Sequence, residues 1–283
     1  MALTILLIML GLMLSGFPMM VPMLVATFVG FFVYFPSLKP DIIVQQMVSG
    51  ISPVALITVP MFILAADIVT RGRTANRLLD LAMTFFGHLR GGLAVTASVA
   101  CTLFGAISGS TQATVVAVGG PLRPRMLQAG YDDKFTIALL INAADIAFLI
   151  PPSIGMIVFG IVGKASIAEL FLAGIGPGLL ILLLFSAYAV WYAWRHDIPL
   201  LPRTSWRERF VAMRKASLAM MFPVLIIGGL YGGYFSPTEV AAIAVLYAFI
   251  LEVLIHRAVK LSDFPAIAYS TGLITGIVFI LVG

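Results

Sequence analysis

Of the chain's 283 residues, 61% are hydrophobic and only 10% charged, with a mean hydropathy of +1.10. Soluble domains carry about 25% charged residues, so this composition excludes an ordinary soluble fold and leaves an all-α polytopic membrane protein with roughly eight crossings. The net charge of +5 is spread over short loops, as cytoplasmic loops require, and does not suggest a nucleic-acid partner.

Residues 2–35 are apolar throughout, too long for one ordinary span. Gly16-Phe17-Pro18 and Pro22 interrupt them, which predicts two coupled helices joined by a tight turn. Residues 37–52, with Lys39, Pro40 and Asp41, read as a polar connection. Residues 53–69 form the next span, with Asp67 paired to Arg71 near its end. Residues 71–90 are amphipathic: Leu78, Leu79, Leu81, Ala82, Phe85 and Phe86 lie among basic residues. That pattern fits a helix on the membrane surface, or one packed on the bundle.

Residues 92–107 and 113–122 would give helices of roughly 24 and 15 Å, each short of a hydrocarbon core of about 30 Å. They predict a re-entrant hairpin that enters and leaves on one side, with Ser108-Gly109-Ser110-Thr111-Gln112 at its tip. Residues 135–149 and 154–163 then form a span broken at Ile150-Pro151-Pro152-Ser153. Irregular backbone at membrane depth is tolerated only where protein or a water-filled cavity satisfies it, and paired broken segments point to a transporter's binding site.

Further spans follow at residues 170–194, 218–234 and 238–255, with Trp191, Trp194 and Trp206 as interfacial anchors and Glu239 as a helix cap. The stretch Arg195–Lys215 is the most basic loop, and the positive-inside rule places it in the cytoplasm. Counting spans from there puts Met1 outside and opens the hairpin from the cytoplasm. Arg123 and Arg125 then mark the hairpin base rather than an anion site. Met1 leads directly into apolar sequence without a basic n-region, which argues against a cleaved signal peptide. The lone Cys101 excludes a disulfide framework and a multi-cysteine metal site, and no two of His88, His196 and His256 are spaced as a ligand pair.

Ile57-Thr58-Val59-Pro60-Met61-Phe62-Ile63-Leu64 is similar to Ile274-Thr275-Gly276-Ile277-Val278-Phe279-Ile280-Leu281 at an offset of 217. The first copy begins outside and the second, from about residue 217, inside, the arrangement of inverted repeats. The same offset puts the partner of Ser108 near position 325, beyond Gly283. The sequence therefore reads as C-terminally truncated, a natural half-length subunit being the competing reading.

The segments resemble the large (M) membrane subunit of tripartite ATP-independent periplasmic (TRAP) transporters over nearly the whole chain. The marks are Val59–Leu64, Gly87-His88-Leu89-Arg90-Gly91-Gly92-Leu93-Ala94, Ile107–Ser110, Gly119, Met126, Gly130-Tyr131, Ile150–Ile154, Leu170–Gly178 and Pro237-Thr238-Glu239. The resemblance implies an inverted-repeat elevator-type transporter in the bacterial inner membrane, driving sodium-coupled uptake of an organic acid such as a dicarboxylate or sialic acid. It implies a small (Q) membrane subunit, a periplasmic substrate-binding protein and membrane lipid as partners, and no cofactor beyond the coupling sodium ion. Residues 1–216 would be the first repeat: scaffold 1–70, surface arm 71–90, hairpin and broken helix 91–164, span 170–194 and cytoplasmic loop 195–216. Residues 217–283 would begin the second repeat, left incomplete. The family's small or hydroxyl residues with a glycine before Pro-Pro-Ser are replaced here by Asn142-Ala143-Ala144-Asp145-Ile146-Ala147-Phe148.

Sodium prefers oxygen ligands. Ser108, Ser110 and Thr111 offer hydroxyls, and Gly109 permits unusual dihedrals. Pro151 and Pro152 donate no amide hydrogen, which frees carbonyls around residues 147–150. A carboxylate at the depth of Asp145 is a functional hypothesis by default: sodium ligand, proton carrier or ion-pair partner. The alternative for Asp145 is a helix-end cap or a hydrogen bond to Asn142. The candidate site is thus Ser108, Gly109, Ser110, Thr111, Asn142, Asp145, Ile150, Pro151, Pro152 and Ser153, with Ser108, Ser110 and Asp145 as sodium ligands. An intramembrane enzyme would need a catalytic pair, and Asp145 has no second aspartate in another span. Another ion-coupled transporter or channel with a re-entrant loop, or a non-functional fragment, are the rival readings.

Overall fold

The computed structural model describes residues 2–37 and 39–282, and every regular element among them is helical. The chain divides into two units, one holding residues up to Val54 and from Leu273 onward, the other Ala55–Gly272. In the smaller unit, α1 (Ala2–Leu14) and α2 (Met20–Tyr34) pair as expected across a turn that holds Gly16 at φ +83°. The Thr4 and Tyr34 hydroxyls meet at 2.6 Å. Residues 37–52 are not a polar connection, because α3 (Asp41–Ile51) fills most of them. Pro40 precedes it with φ −55°, already helical, and Asp41 sets a carboxylate in the first turn, where the helix dipole favours it.

In the larger unit α4 (Thr58–Arg71) leads through a corner at Gly72 into α5 (Thr74–Phe86). The apolar face of α5, with Leu78, Leu79 and Ala82 at 2% exposure or less, packs against α6 (Gly92–Ser108) and α12 (Trp206–Tyr231). The segment 71–90 is therefore a helix packed on the bundle, its apolar face closed to lipid. After the tip come α7 (Thr111–Thr114), a π-helical stretch over Val115–Gly119 and α8 (Gly120–Gln128), so the second hairpin arm runs on to Gln128. The broken span is α9 (Asp133–Ala144), a 3-10 turn Asp145–Phe148 and α10 (Ile154–Val162).

The helix α11 (Ile167–Arg195) crosses beside them, leaving Leu179, Leu180, Leu183 and Leu184 exposed. The basic stretch Arg195–Lys215 is a loop only in its first half, because α12 begins at Trp206 behind a Ser205–Glu208 capping box. Ser236 and Glu239 cap α13 (Pro237–Phe249) in the same way, and a π-helical turn Ile250–Ile255 and a 3-10 turn Leu261–Asp263 lead to α14 (Phe264–Val282). Among the described residues five helical stretches are long and apolar enough to cross a membrane: Val54–Arg71, Ile167–Arg195, Trp206–Tyr231, Pro237–Ile255 and Leu261–Val282.

The expected Asp67–Arg71 pair does not form. Asp67 Oδ2 instead accepts from the Thr271 hydroxyl at 3.0 Å, tying α4 to α14. One helical turn from the aspartate, Arg71 is exposed at the end of α4, where its cation suits the dipole and keeps its water.

Candidate functional site

The sequence builds the hairpin tip from a stop signal followed at once by a start signal. Gly109 ends α6 in the left-handed region at φ +58°, its N–H donating to Gly105 O at 2.8 Å. Ser110 then caps α7, its Oγ accepting from Ala113 N–H at 3.4 Å. Ser108, fully buried, turns its hydroxyl into this corner, 3.1 Å from Thr114 Oγ1 and 3.4 Å from both the carbonyl and the amide of Ser110. Thr114 donates in turn to Ser110 O at 2.8 Å. The Thr111 hydroxyl is buried without a partner among the described residues. The tip thus concentrates neutral oxygens from Ser108, Ser110, Thr111 and Thr114 within seven residues of chain.

The second break meets this tip. Ile154 N–H points at Gly109 O at 3.5 Å, and a Cβ added to Gly109 would lie 2.2 Å from Pro152 O. One turn earlier, Gly105 packs so closely on the 3-10 turn that an added Cβ would sit 2.7 Å from Ala147 Cβ. Ser153, also fully buried, caps α10 by accepting from Met156 N–H at 3.2 Å. Pro151 and Pro152, joined by a cis peptide, stand where the i+4 donors to the Ala147 and Phe148 carbonyls would be. The Leu149 carbonyl faces α11 instead: a Cβ on Gly174 would lie 2.2 Å from it. The carbonyls of residues 147–150 were expected to be free, and none of them, those of Ala147 and Phe148 included, accepts a hydrogen bond among the described residues.

Asn142 and Asp145 lie on another face. Ala143, Ala144, Ile146 and Ala147 are buried, whereas Ile141, Asn142, Asp145 and Phe148 are exposed. The Asn142 amide donates to Ala138 O at 2.7 Å, and among the described residues Asp145 has no side-chain hydrogen bond or ion pair. The structure therefore gathers Ser108, Gly109, Ser110, Thr111, Pro151, Pro152 and Ser153 at one junction. It sets Asn142 and Asp145 one turn apart beside it, with Ile150 packed on Ala106 and Ile146.

Along α11 the depth of this junction can be read. Both ends of the hairpin meet the last turns of that helix. A Cβ on Gly91 would approach Ala189 O at 2.7 Å, and Tyr131 stacks on Tyr192. The second break meets the same helix at Gly174 and Gly178. Fifteen residues separate Gly174 from Ala189, about 22 Å at 1.5 Å per residue, which is the interior of a core about 30 Å thick.

At the base, Arg123 grips Asp133 through two bonds of 2.9 Å, as a hairpin-base role predicts. Hydrogen bonding from that guanidinium holds the Asp133 carboxyl below the usual carboxylate range. A depressed folded-state value means that the pair stabilises the base above about pH 4 and is lost as pH falls through the lowered value. Asp133→Asn is expected to remove this acid dependence. Melting curves from about pH 7 to about pH 3 check it, and identical pH profiles for variant and wild type would refute it.

Thr114 escaped the sequence reading, although it stands four residues after Ser110, where a helix-start hydroxyl returns to the cap. Glu252 escaped it too. A lone acid in the apolar run 240–255, four residues before His256, was visible as a pattern, and it is wholly buried.

Residues 6–283 match the family model described as the DctM component of tripartite ATP-independent periplasmic transporters. The chain is 63% identical over its full length to the ectoine/5-hydroxyectoine TRAP transporter large permease protein UehC of Ruegeria pomeroyi, covering 66% of that protein. It is 61% identical, over 97% of its length, to the ectoine TRAP transporter large permease protein TeaC of Halomonas elongata, covering 64% of it. With the C4-dicarboxylate TRAP transporter large permease protein DctM of Pseudomonas aeruginosa the identity is 40%, over 78% of the chain and 52% of that protein. The chain thus spans just under two thirds of the first two relatives, and all three are named as permease proteins.

Proposed function

The chain belongs to the DctM component family of tripartite ATP-independent periplasmic transporters, and from that premise we propose that it supplies one wall of a sodium-coupled permease site in the bacterial inner membrane. The observation that carries this reading is the meeting of the two helix breaks at Gly109 and Pro152 about 22 Å along α11 from the hairpin base. Neutral hydroxyls of Ser108, Ser110, Thr111 and Thr114 and the donor-free carbonyls of Ala147 and Phe148 make an oxygen-rich corner suited to a hard monovalent cation. Asp145 lies beside that corner on an exposed face, where it can serve the coupling ion or the substrate.

The substrate we assign is an organic acid of the ectoine type. The identities of 63% and 61% to ectoine permeases against 40% to a C4-dicarboxylate permease favour it over dicarboxylates, and nothing among these relatives favours sialic acid. The partners are a small membrane subunit and a periplasmic binding protein, as the family's tripartite name implies. The orientation proposed has residue 1 outside and Arg195–Lys215 cytoplasmic. An elevator motion would carry the hairpin and broken span against a scaffold, with the start of α13 217 residues after that of α2 supporting an internal repeat.

The test is uptake of labelled ectoine into proteoliposomes holding this permease and its small subunit, with the binding protein supplied outside. Uptake should require sodium and the binding protein, and should resist excess succinate. Undiminished uptake after sodium is replaced by choline would sink the coupling, and an Asp145→Asn variant with unaltered sodium dependence would remove that residue from it.

A further inference from the structure

Away from the hairpin, the face of α5 carrying Arg77 and Asp80 stands opposite the face of α12 carrying Glu208, Val211 and Lys215. Between them is a cleft of about 560 Å³. We propose that this cleft binds the phosphate-bearing headgroup of an anionic phospholipid. Three cations line it, Arg77, Arg207 and Lys215, against two carboxylates. One of those carboxylates, Glu208, is already committed to the Ser205 backbone N–H at 2.8 Å as a helix cap.

Arg77 is anchored by donating to Lys215 O at 3.1 Å and to His256, so it forms a fixed wall. Arg207 and Lys215 have no ion-pair partner among the described residues. Thr84 and Ser205 line the cleft as well, and the Thr204 hydroxyl ties the two helices beside them by donating to Thr84 O at 2.6 Å. The chamber is therefore bounded by hydrogen-bonded groups and an apolar side at Val211, with its free positive charge on α12.

The level of the cleft in the membrane follows from its rim. Trp206 and Phe210 are 78% and 70% exposed, and the Arg209 guanidinium lies over the Trp206 ring at 4.9 Å. Exposed aromatics interleaved with cations at the start of an apolar helix belong at the headgroup level. Basic pockets between helices at that level suit anionic headgroups, and each cation near an anionic surface contributes a factor of about five.

Native mass spectrometry of the detergent-purified chain tests this, with phosphatidylglycerol, phosphatidylcholine and inorganic phosphate as separate titrants. Phosphatidylglycerol should bind in preference to phosphatidylcholine. The Arg207→Ala, Lys215→Ala double variant should lose roughly 30-fold in phosphatidylglycerol affinity, two such factors together. Asp80→Asn should gain roughly fivefold by removing a like charge from the wall, a result that a misfolded variant cannot give. Equal binding of the two lipids, an unaltered double variant, or no gain from Asp80→Asn would overturn the proposal. Inorganic phosphate that displaces phosphatidylglycerol at equal concentration would overturn the lipid assignment in favour of a free-anion site.

Discussion

Gly109→Ala should cut the proposed sodium-dependent uptake by about a hundredfold or more. Two costs combine at this position. Any side chain in the left-handed region costs about 1–2 kcal/mol relative to glycine. The new Cβ would also lie 2.2 Å from Pro152 O, too close for any real contact, so the tip has to withdraw from the second break. Relieving an overpacked contact of this kind costs about 1–3 kcal/mol. Together the two terms reduce the docked population by the factor that about 3 kcal/mol represents, roughly a hundredfold. Gly120→Ala is the matched control: it lies in the same hairpin, its Cβ would meet nothing within 4 Å, and its φ of −51° is ordinary. That variant should transport as wild type does. Initial uptake rates of the two variants, with melting curves to confirm that both fold, decide the matter. Wild-type uptake by Gly109→Ala would mean that tip and break need not touch during transport.

The hairpin and the broken span were legible because their signals are local. A glycine between two serines, and a double proline beside a serine, break a helix whatever surrounds them. The distance of each break from the charged ends of its segment was legible for the same reason, since charged residues bound each segment. What was not legible is pairing across the chain. Asp67 bonds Thr271, 204 residues away, rather than Arg71 one turn along its own helix. Local spacing cannot reveal such a partner, and apolar sequence with little periodicity says little about which face a helix buries. For that reason Asp145 read as a member of the oxygen cluster, although the buried alanines around it turn the carboxylate to the exposed side. The segment around α3 failed for another reason. Lys39, Pro40 and Asp41 were read as marks of a connection, although Pro40 and Asp41 are what start the helix.

Glu252→Ala should destabilise the larger unit by about 3–5 kcal/mol, the cost of removing one member of a buried charged network. The carboxylate is wholly buried under the corner between α4 and α5. It accepts from the backbone N–H groups of Arg73 at 2.9 Å and Thr74 at 3.1 Å, and also from the Thr74 hydroxyl. These are donors at the start of α5, which an anion satisfies while complementing the helix dipole. Behind it, Arg77 has only donors to offer, so His256 Nε2 accepts from Arg77 and Nδ1–H donates to Glu252 at 3.1 Å. Removing the carboxylate leaves these donors buried without partners, and each such group costs about 1–3 kcal/mol. Glu252→Gln should fall between, because one oxygen still accepts while the new amide hydrogens confront the corner's N–H groups. Gly72→Ala should match the alanine variant at 252, since its Cβ would lie 2.1 Å from the carboxylate. The corner leads through α5 into the first hairpin arm, so its loosening unwinds the backbone around Arg71, Arg73 and Arg77 for trypsin before the rest of the unit opens. Melting temperature and the rate of cleavage at those three sites read the effect together. If Glu252→Ala melts within a degree or two of wild type and is cut no faster, the network does not hold the corner.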